Sequence, residues 1–251
     1  MSDQPHSNET RCALAGRDAA PFERRHMLEA VLYALHSRRS IRGFLSDPVP
    51  ESTVRELLSA AERAPSGSNI QPWRVHVLTG PVLKRLSDLL SDAFLSGRPE
   101  RPEYAYYPTR WREPFLARRR ETGWGLYRLA SIARGDREGS RQQRARNYSF
   151  FGAPVGMVFS IDNDLEKGSW LDYGMFLQGL MTAARGYGLD TCPQAAIGNY
   201  PDIVHAELEI PDDRTIICGM ALGWADIEEP TNALHTSRIP LETFVTFRHE
   251  R

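Results

Sequence analysis

Residues 35–44 read LHSRRSIRGF, a ten-residue stretch with three arginines, two serines and one glycine. The guanidinium groups of Arg38, Arg39 and Arg42 are permanently charged and bind phosphate oxygens through paired donors, and the Ser40 hydroxyl adds another donor. The alternative is a solvated helix end, where cations complement the negative end of the helix dipole. This loop by itself leaves both interpretations open.

Apolar residues at helical spacing surround this loop. They predict an amphipathic helix over 26–37, a second that begins near Glu51 and stops before Pro65, and a third over 81–91. Residues 74–79 alternate as a short strand, whereas 153–161 and 214–224 are continuous apolar strands of the kind covered on both faces. A long central helix over 169–186 and a short one over 200–210 complete the pattern. We expect an α+β fold with a small mixed sheet sandwiched by helices.

Two further segments could approach a ligand. APSGSNIQPW, from Ala64 to Trp73, places small residues, two hydroxyls and an amide in a turn that could meet a flat polar ring. TCPQAAIGNYP, from Thr191 to Pro201, places small residues where backbone groups could contact a ligand. Each is equally readable as an ordinary connection, the first as a helix stop with Trp73 as a core anchor.

The segment over 97–147 differs in composition from the rest of the chain. Residues 98–146 contain 13 basic and 6 acidic residues, with many aromatic and few aliphatic ones. We interpret it as an insertion. Its basic and aromatic residues superficially fit single-stranded nucleic acid, but the formal net charge of −1 argues against such binding.

Composition excludes several other classes. The cysteines Cys12, Cys192 and Cys218 are odd in number and lack metal-ligand spacing, which indicates a reducing, cytoplasmic location without structural disulfides. No histidine motif indicates a metal, no apolar run reaches a membrane span, and neither a dinucleotide-binding glycine motif nor a P-loop occurs. Residues 1–26 look like a flexible tail that precedes a single domain over 27–251. Residues 232–251 form the last part of that domain and look like an extended arm.

Taken together, RRSIRGF, APSGSNIQPW, DTCPQAAIGNYPD and NALHTSR resemble the nitroreductase family of flavin mononucleotide (FMN) enzymes in order and spacing. The likeness covers about Leu28 to Phe247. The insertion, with RARNYSFFGAPVG after it, further resembles the bacterial NfnB-type nitroreductases. Many relatives carry a Glu-Gly pair where this chain has QAAIG.

The resemblance implies a homodimer with FMN at the subunit interface and the insertion over the cleft. By position, Arg38, Ser40, Arg42 and Arg238 match the residues that hold the FMN phosphate and ribityl side. Arg39 is counted with the cofactor-binding residues because it lies in the same motif, but the direction of its side chain is left open. The segment reaching the flavin from the partner subunit comprises Pro65, Ser66, Ser68 and Asn69. The run beside the isoalloxazine ring comprises Pro193, Gln194, Ala195 and Ala196.

The implied reaction is a ping-pong transfer of hydride from NADH or NADPH through flavin N5 to nitroaromatic compounds, with the chemistry carried by FMN rather than by a catalytic side chain. Planar substrates suit aromatic faces, so we expect substrate contacts from Phe151, Tyr107 and Trp111. Two alternatives remain open: another reductase of the same fold, acting on quinones or enones, and an FMN-binding protein without turnover.

Overall fold

The computed structural model describes residues 21–249, with the side chains of residues 21 and 22 left out. Seven helices and four strands make up this part of the chain. The helices are α1 (Pro21–Ser37), α2 (Glu51–Ala61), α3 (Gly80–Leu95), α4 (Phe115–Leu129), α5 (Arg137–Ala145), α6 (Lys167–Gly186) and α7 (Pro201–Leu208). The strands are β1 (Arg74–Thr79), β2 (Val155–Asp162), β3 (Asp190–Gln194) and β4 (Arg214–Gly223).

The four strands form one sheet in the order β1-β2-β4-β3, and every neighbouring pair is antiparallel. The α+β class and the small sheet between helices are confirmed. The prediction of a mixed sheet is wrong, since all three strand pairs are antiparallel. Within the described residues, parallel pairing occurs as an isolated bridge between Ser40 and Thr191. That bridge joins the arginine-rich loop to β3.

Helices cover both faces of the sheet. On one face, Met157 and Phe159 of β2 pack with Leu57 of α2 and Phe176 and Leu180 of α6. The other face packs against α3, α5 and α7 through a second apolar cluster, which includes Leu86, Val158 and Val204. Because alternate residues of a strand point to opposite faces, two cores require the continuous apolar runs of β2 and β4.

Two elements differ from the prediction. The residues of β3 were interpreted as a segment that could contact a ligand or as an ordinary connection, and not as a strand. The strand lies at the edge of the sheet, where a proline, which cannot donate a ladder hydrogen bond, is tolerated. Helix α1 begins at Pro21, so residues 21–26 are helical rather than part of a loose tail, and residues 1–20 lie outside the described range.

The insertion contains α4, α5 and an irregular stretch before them. The C-terminal arm has 3₁₀ turns at Pro230–Ala233 and Leu241–Thr243 and is otherwise without regular structure up to residue 249. Helix α4 packs against the first of these turns, and the Ser237 hydroxyl donates to Glu121 at 3.2 Å. The insertion and the arm therefore lie side by side.

Candidate functional site

The arginine-rich loop opens onto a cavity of about 500 Å³, which we call the arginine cavity. Its walls come from two segments nearly 200 residues apart, the loop itself and the start of the C-terminal arm. The lining residues are Leu35, His36, Arg38, Arg39, Ser40, Arg42, Leu234, His235, Thr236 and Arg238. The structure thus brings Arg238 to the three arginines of the loop, as the motifs predicted.

The lining of the arginine cavity carries four guanidinium groups and no carboxylate. Partial burial, reinforced by repulsion from Arg238, lowers the pKa of Arg38 below its ordinary value. Within residues 21–249, none of the four arginines forms an ion pair with an acidic side chain. A bound anion would relieve this like-charge repulsion, so the cavity has the electrostatics of a site for a phosphate or similar group.

Three of the four guanidinium groups, those of Arg39, Arg42 and Arg238, are held by different hydrogen bonds. Arg39 donates from Nη1 to the Asn232 carbonyl at 2.8 Å and contacts Nε2 of His235 at 3.0 Å, so its guanidinium is engaged by the arm. Because arginine only donates, His235 must accept through Nε2 in this arrangement. The guanidinium of Arg42 donates to Ser40 O, and that of Arg238 donates to Thr236 and to Ser237 O, all of them groups nearby in the chain. Arg39 lines the cavity too, but its guanidinium is the one engaged by the arm.

Strand β3 holds the arginine-rich loop through backbone contacts at Thr191. The backbone N–H of Ile41 donates to Thr191 O at 3.1 Å beside the Ser40 bridge. Next to it, Cys192 is buried, and this burial raises the pKa of its thiol to about 11 even though Arg42 and Ser40 favour the thiolate. A buried thiol with a raised pKa is typical of a packing residue rather than of an activated nucleophile.

A second cavity of about 500 Å³ adjoins the first, and we call it the aromatic cavity. It lies between the insertion and the end of β3. The lining residues are Arg42, Glu100, Pro102, Tyr104, Ala105, Tyr106, Tyr107, Asn147, Pro193, Gln194, Ala195, Ala196, Gly198 and Asn199. Arg42 lines both cavities, so the two form neighbouring compartments that share one arginine.

The aromatic cavity takes its tyrosines from the insertion. Tyr104 is anchored, since its hydroxyl donates to Ile217 O on β4 at 2.5 Å. Tyr106 and Tyr107 meet edge to face with ring centroids 4.7 Å apart, and both are largely exposed. Trp111 does not line the cavity but packs on Tyr107 at 5.4 Å. Tyr107 thus lies where it could meet a substrate, whereas Trp111, also predicted as a substrate contact, reaches the cavity only through its contact with Tyr107.

Phe151 is placed differently from its prediction as a substrate contact. Its side chain is 4% exposed, belongs to the apolar core on one side of the sheet and lines neither cavity. Phe150 and Phe151 both have positive φ, so the chain turns inward there before β2. The structure assigns Phe151 to packing because the segment before an internal strand is itself internal.

The turn around Ser66 lies apart from both cavities. Pro65, Ser66, Ser68 and Asn69 line neither of them, and the last two residues have positive φ. The backbone N–H of Gly67 donates to Oδ2 of the buried Asp172 at 3.0 Å, which holds the turn against α6. Within one copy of the chain, this motif contributes nothing to the two cavities.

Several residues of the site escaped the sequence analysis. Asn147 lines the aromatic cavity, while Asn232 and Asp172 hold the loop and the turn through side-chain hydrogen bonds. Asn232 stands in the quoted motif NALHTSR, so its presence beside Arg238 was a usable signal. Asp172 carried none, because a single acidic residue on a helix is ordinarily solvated.

Neither a metal site nor a membrane-spanning helix is found within residues 21–249. No group of three His, Cys, Asp or Glu side chains there could hold a metal ion. Nor is any helix of this range both long and apolar enough to cross a membrane.

The sequence of this chain is similar to those of known proteins. The sequence profile of the Nitroreductase family matches residues 35–224. The chloronitrobenzene nitroreductase of Comamonas testosteroni is 43% identical over 218 residues, 86% of this chain and 96% of that protein. The nitrobenzene nitroreductase of Ectopseudomonas oleovorans is 41% identical over 219 residues, with coverage of 86% and 96%.

Solved structures agree. The crystal structure of the FMN- and NADPH-dependent nitroreductase NfnB from Sphigopyxis sp. strain HMH superposes with a TM-score of 0.85 at 35% identity, covering 88% of this chain and 99% of that one. The FMN-dependent NfnB from Mycobacterium smegmatis, in complex with NADPH, also gives 0.85, at 31% identity and 89% and 100% coverage. The chain belongs to the nitroreductase family.

Proposed function

We propose that this chain is an FMN-dependent oxidoreductase that uses NADPH or NADH to reduce nitroaromatic compounds. The observation that carries the proposal is the pair of compartments sharing Arg42. FMN is a phosphate dianion joined to a planar tricycle, and the two compartments match those two ends. The lining of one has guanidinium groups and no carboxylate, and the lining of the other has small residues and aromatic faces.

The residues divide accordingly. Arg38, Ser40, Arg42 and Arg238 would hold the phosphate and ribityl side, and charge repulsion between Arg38 and Arg238 favours the anion. Pro193 to Ala196 would flank the ring, where the two alanines leave room for a close backbone approach. Bound FMN would supply the redox chemistry, accepting a hydride at N5 and passing it to a nitro group.

In this proposal, the insertion supplies the side chains that contact the substrate. Tyr106 and Tyr107 present aromatic faces at the open side of the aromatic cavity, and a nicotinamide and a nitroarene are both planar. We propose that the aromatic compartment receives these two planar partners in turn, which would give ping-pong kinetics. The four curated relatives at 37–43% identity are named for nitrobenzene, chloronitrobenzene or nitrobenzoate, and this supports small nitroarenes as the substrate class.

The proposal includes a homodimer. Helix α1 exposes a run of large apolar side chains between Met27 and Leu35, and the C-terminal arm exposes Phe244 and Phe247. Clustered exposed apolar side chains are typical of a surface that another chain covers. The turn around Ser66, which serves neither cavity of its own copy, is free to reach the flavin of a partner. Buried free thiols at Cys192 and Cys218 support a reducing location, the cytoplasm.

An anaerobic titration tests the reaction. Protein reconstituted with FMN is mixed with NADPH or NADH, and the flavin absorbance should bleach; nitrobenzene added afterwards should restore it. Initial rates at several fixed nitrobenzene concentrations should give parallel double-reciprocal lines. A flavin that binds but is bleached by neither nucleotide would leave an FMN-binding protein without turnover, and faster reoxidation by quinones than by any nitroarene would favour the quinone reductase.

Site assignment has its own test. Arg38→Ala with Arg42→Ala should abolish copurifying FMN, whereas Arg55→Ala, which removes an exposed arginine paired with Glu51 on α2, should not. Full FMN retention in the double variant would overturn the assignment. Sedimentation analysis of the loaded protein tests the dimer, and a monomer at micromolar concentration contradicts it.

A further inference from the structure

Both backbone polar groups of Arg42 are bound by side chains from distant parts of the chain. Its N–H donates to Oδ1 of Asn232 at 2.6 Å, and its carbonyl oxygen accepts from Nη2 of Arg146 at 2.8 Å. The first partner belongs to the C-terminal arm and the second directly follows α5. Arg42 thus has its peptide groups clamped on both sides while its side chain lines the two cavities.

Asn232 is fully engaged in this clamp. Its side chain is buried, and Nδ2 donates to Gly43 O and to Asp226 O, each at 2.8 Å. Its own carbonyl oxygen accepts from Arg39. Only a carboxamide of this length offers one acceptor and two donors together, so neither aspartate nor leucine can replace every bond.

Arg146 is fixed in the same network. Its Nη2 also pairs with Oε2 of Glu229 at 2.8 Å, and the other carboxylate oxygen of Glu229 accepts from the Thr231 hydroxyl at 2.7 Å. Gly43 leaves the space in which Glu229 lies, since a Cβ there would come within 2.3 Å of the Glu229 Cγ. The clamp is therefore packed as well as hydrogen-bonded.

We propose that Asn232 and Arg146 are positioning residues, which act through Arg42 to aim its guanidinium at the anionic group of the cofactor. This inference rests on the proposed function, because it takes the FMN phosphate as the group that Arg42 meets. An arginine side chain is long, so a small rotation of its peptide moves the guanidinium out of the geometry for a paired phosphate contact. Neither residue lines the arginine cavity, and so neither is assigned as a ligand.

The experiment compares FMN with riboflavin, which has the same ring but no phosphate. Dissociation constants for both are measured by flavin fluorescence in the full chain and in Asn232→Leu and Arg146→Met variants. We expect each variant to reduce the preference for FMN over riboflavin by about tenfold, as for loss of one charge-assisted hydrogen bond. A merely structural defect would weaken both ligands equally and leave the preference unchanged.

The same substitutions are then made in an Arg42→Ala background. If they act through Arg42, they change the preference by less than about twofold there, because residues acting on one group are not additive. Matched controls are Asn163→Leu, in the turn after β2, and Arg141→Met on α5, which should leave the preference unchanged in either background. Thermal unfolding verifies that each variant is folded, and if Asn232→Leu does not fold, Arg146→Met carries the test.

The outcomes separate the two proposals. A parent protein that binds FMN no better than riboflavin contradicts the phosphate assignment and with it the proposed function. A parent that prefers FMN, with variants that keep this preference, overturns the positioning role alone. An equal tenfold loss in the Arg42→Ala background also overturns it, because the effect then does not pass through Arg42.

Discussion

Asp172 on α6 accepts a hydrogen bond from the backbone N–H of Gly67, 105 residues earlier, with Oδ2 and the nitrogen 3.0 Å apart. The carboxylate is buried, and the turn that it holds contains Ser68 and Asn69, both with positive φ. A strained, exposed turn keeps one conformation only when its surroundings determine it. Asp172 supplies that constraint for the motif expected to reach the partner's flavin.

Replacing this carboxylate should loosen the turn. We expect Asp172→Ala to lower the free energy of unfolding by about 1–3 kcal/mol, because the Gly67 N–H loses its acceptor. FMN affinity should fall too if the turn reaches the partner's cofactor. Asp172→Asn keeps an acceptor oxygen and is the matched control, expected to lose less. Denaturant unfolding and flavin titration measure both effects, and an Asp172→Ala protein with parental values for both would show that the contact is dispensable.

Phe151 and Tyr107 should respond in opposite ways to truncation. Phe151→Ala removes a core side chain and should cost about 3–5 kcal/mol of unfolding free energy. Tyr107 is 59% exposed at the aromatic cavity, so Tyr107→Ala should cost less than about 1 kcal/mol but lower kcat/KM for nitroarenes. Chemical denaturation and steady-state kinetics distinguish them. A stable Phe151→Ala protein with altered KM would restore the original expectation of a substrate contact.

Gly219 in β4 has no room for a side chain. A Cβ there would meet Cγ1 of Ile197 at 2.4 Å and the Met157 carbonyl oxygen at 3.3 Å. We therefore expect Gly219→Ala to destabilise the protein by about 1–3 kcal/mol through overpacking. The control is Gly123→Ala in the middle of α4, where a Cβ meets nothing within 4 Å, with an expected gain of about 0.5–1 kcal/mol. Equal melting temperatures for the two variants would contradict this difference.

Acid should weaken the clamp around Arg42 through Glu229. Burial acts to raise the pKa of this carboxyl, but hydrogen bonds from Arg146 and Thr231 hold it below its ordinary value of 4.5. A carboxyl with a lowered folded-state pKa stabilises the protein above its unfolded-state pKa, and this stability is lost as the pH falls through the folded-state value. The stability difference between the parent and Glu229→Gln should therefore be constant above about pH 5.5 and shrink below pH 4.5. A difference that persists unchanged at low pH would show that the ion pair contributes nothing.

Much of the fold was accessible from local pattern. Periodic apolar residues predicted α2, α3, α6 and α7 close to their observed bounds, and continuous apolar runs predicted β2 and β4. Strand β3 was missed, because five residues containing a proline lack the alternation of a half-buried strand. The outer strand β1 was found: Val75 packs against one apolar cluster and Leu78 belongs to the other, whereas Val77 is exposed. Edge strands are only partly covered, so their pattern is weak.

The sequence showed the motifs and their order along the chain, but it did not show which of them lie close together in the folded protein. The arginine loop and NALHTSR are nearly 200 residues apart, and only the folded chain shows that they line one cavity. Phe151 was misjudged for the same reason: an aromatic residue next to an insertion can face a cleft or the core, and position along the chain does not say which.

What the sequence alone determined is the set of elements and the chemical character of each segment, since helical and strand periods and permanently charged groups are local properties. The tertiary structure decided which segments meet. It placed Arg238 beside Arg38, gave Arg42 to two cavities and clamped its peptide between Asn232 and Arg146. These are long-range relationships, set by packing around a sheet whose strand order differs from the chain order, and no local pattern encodes them.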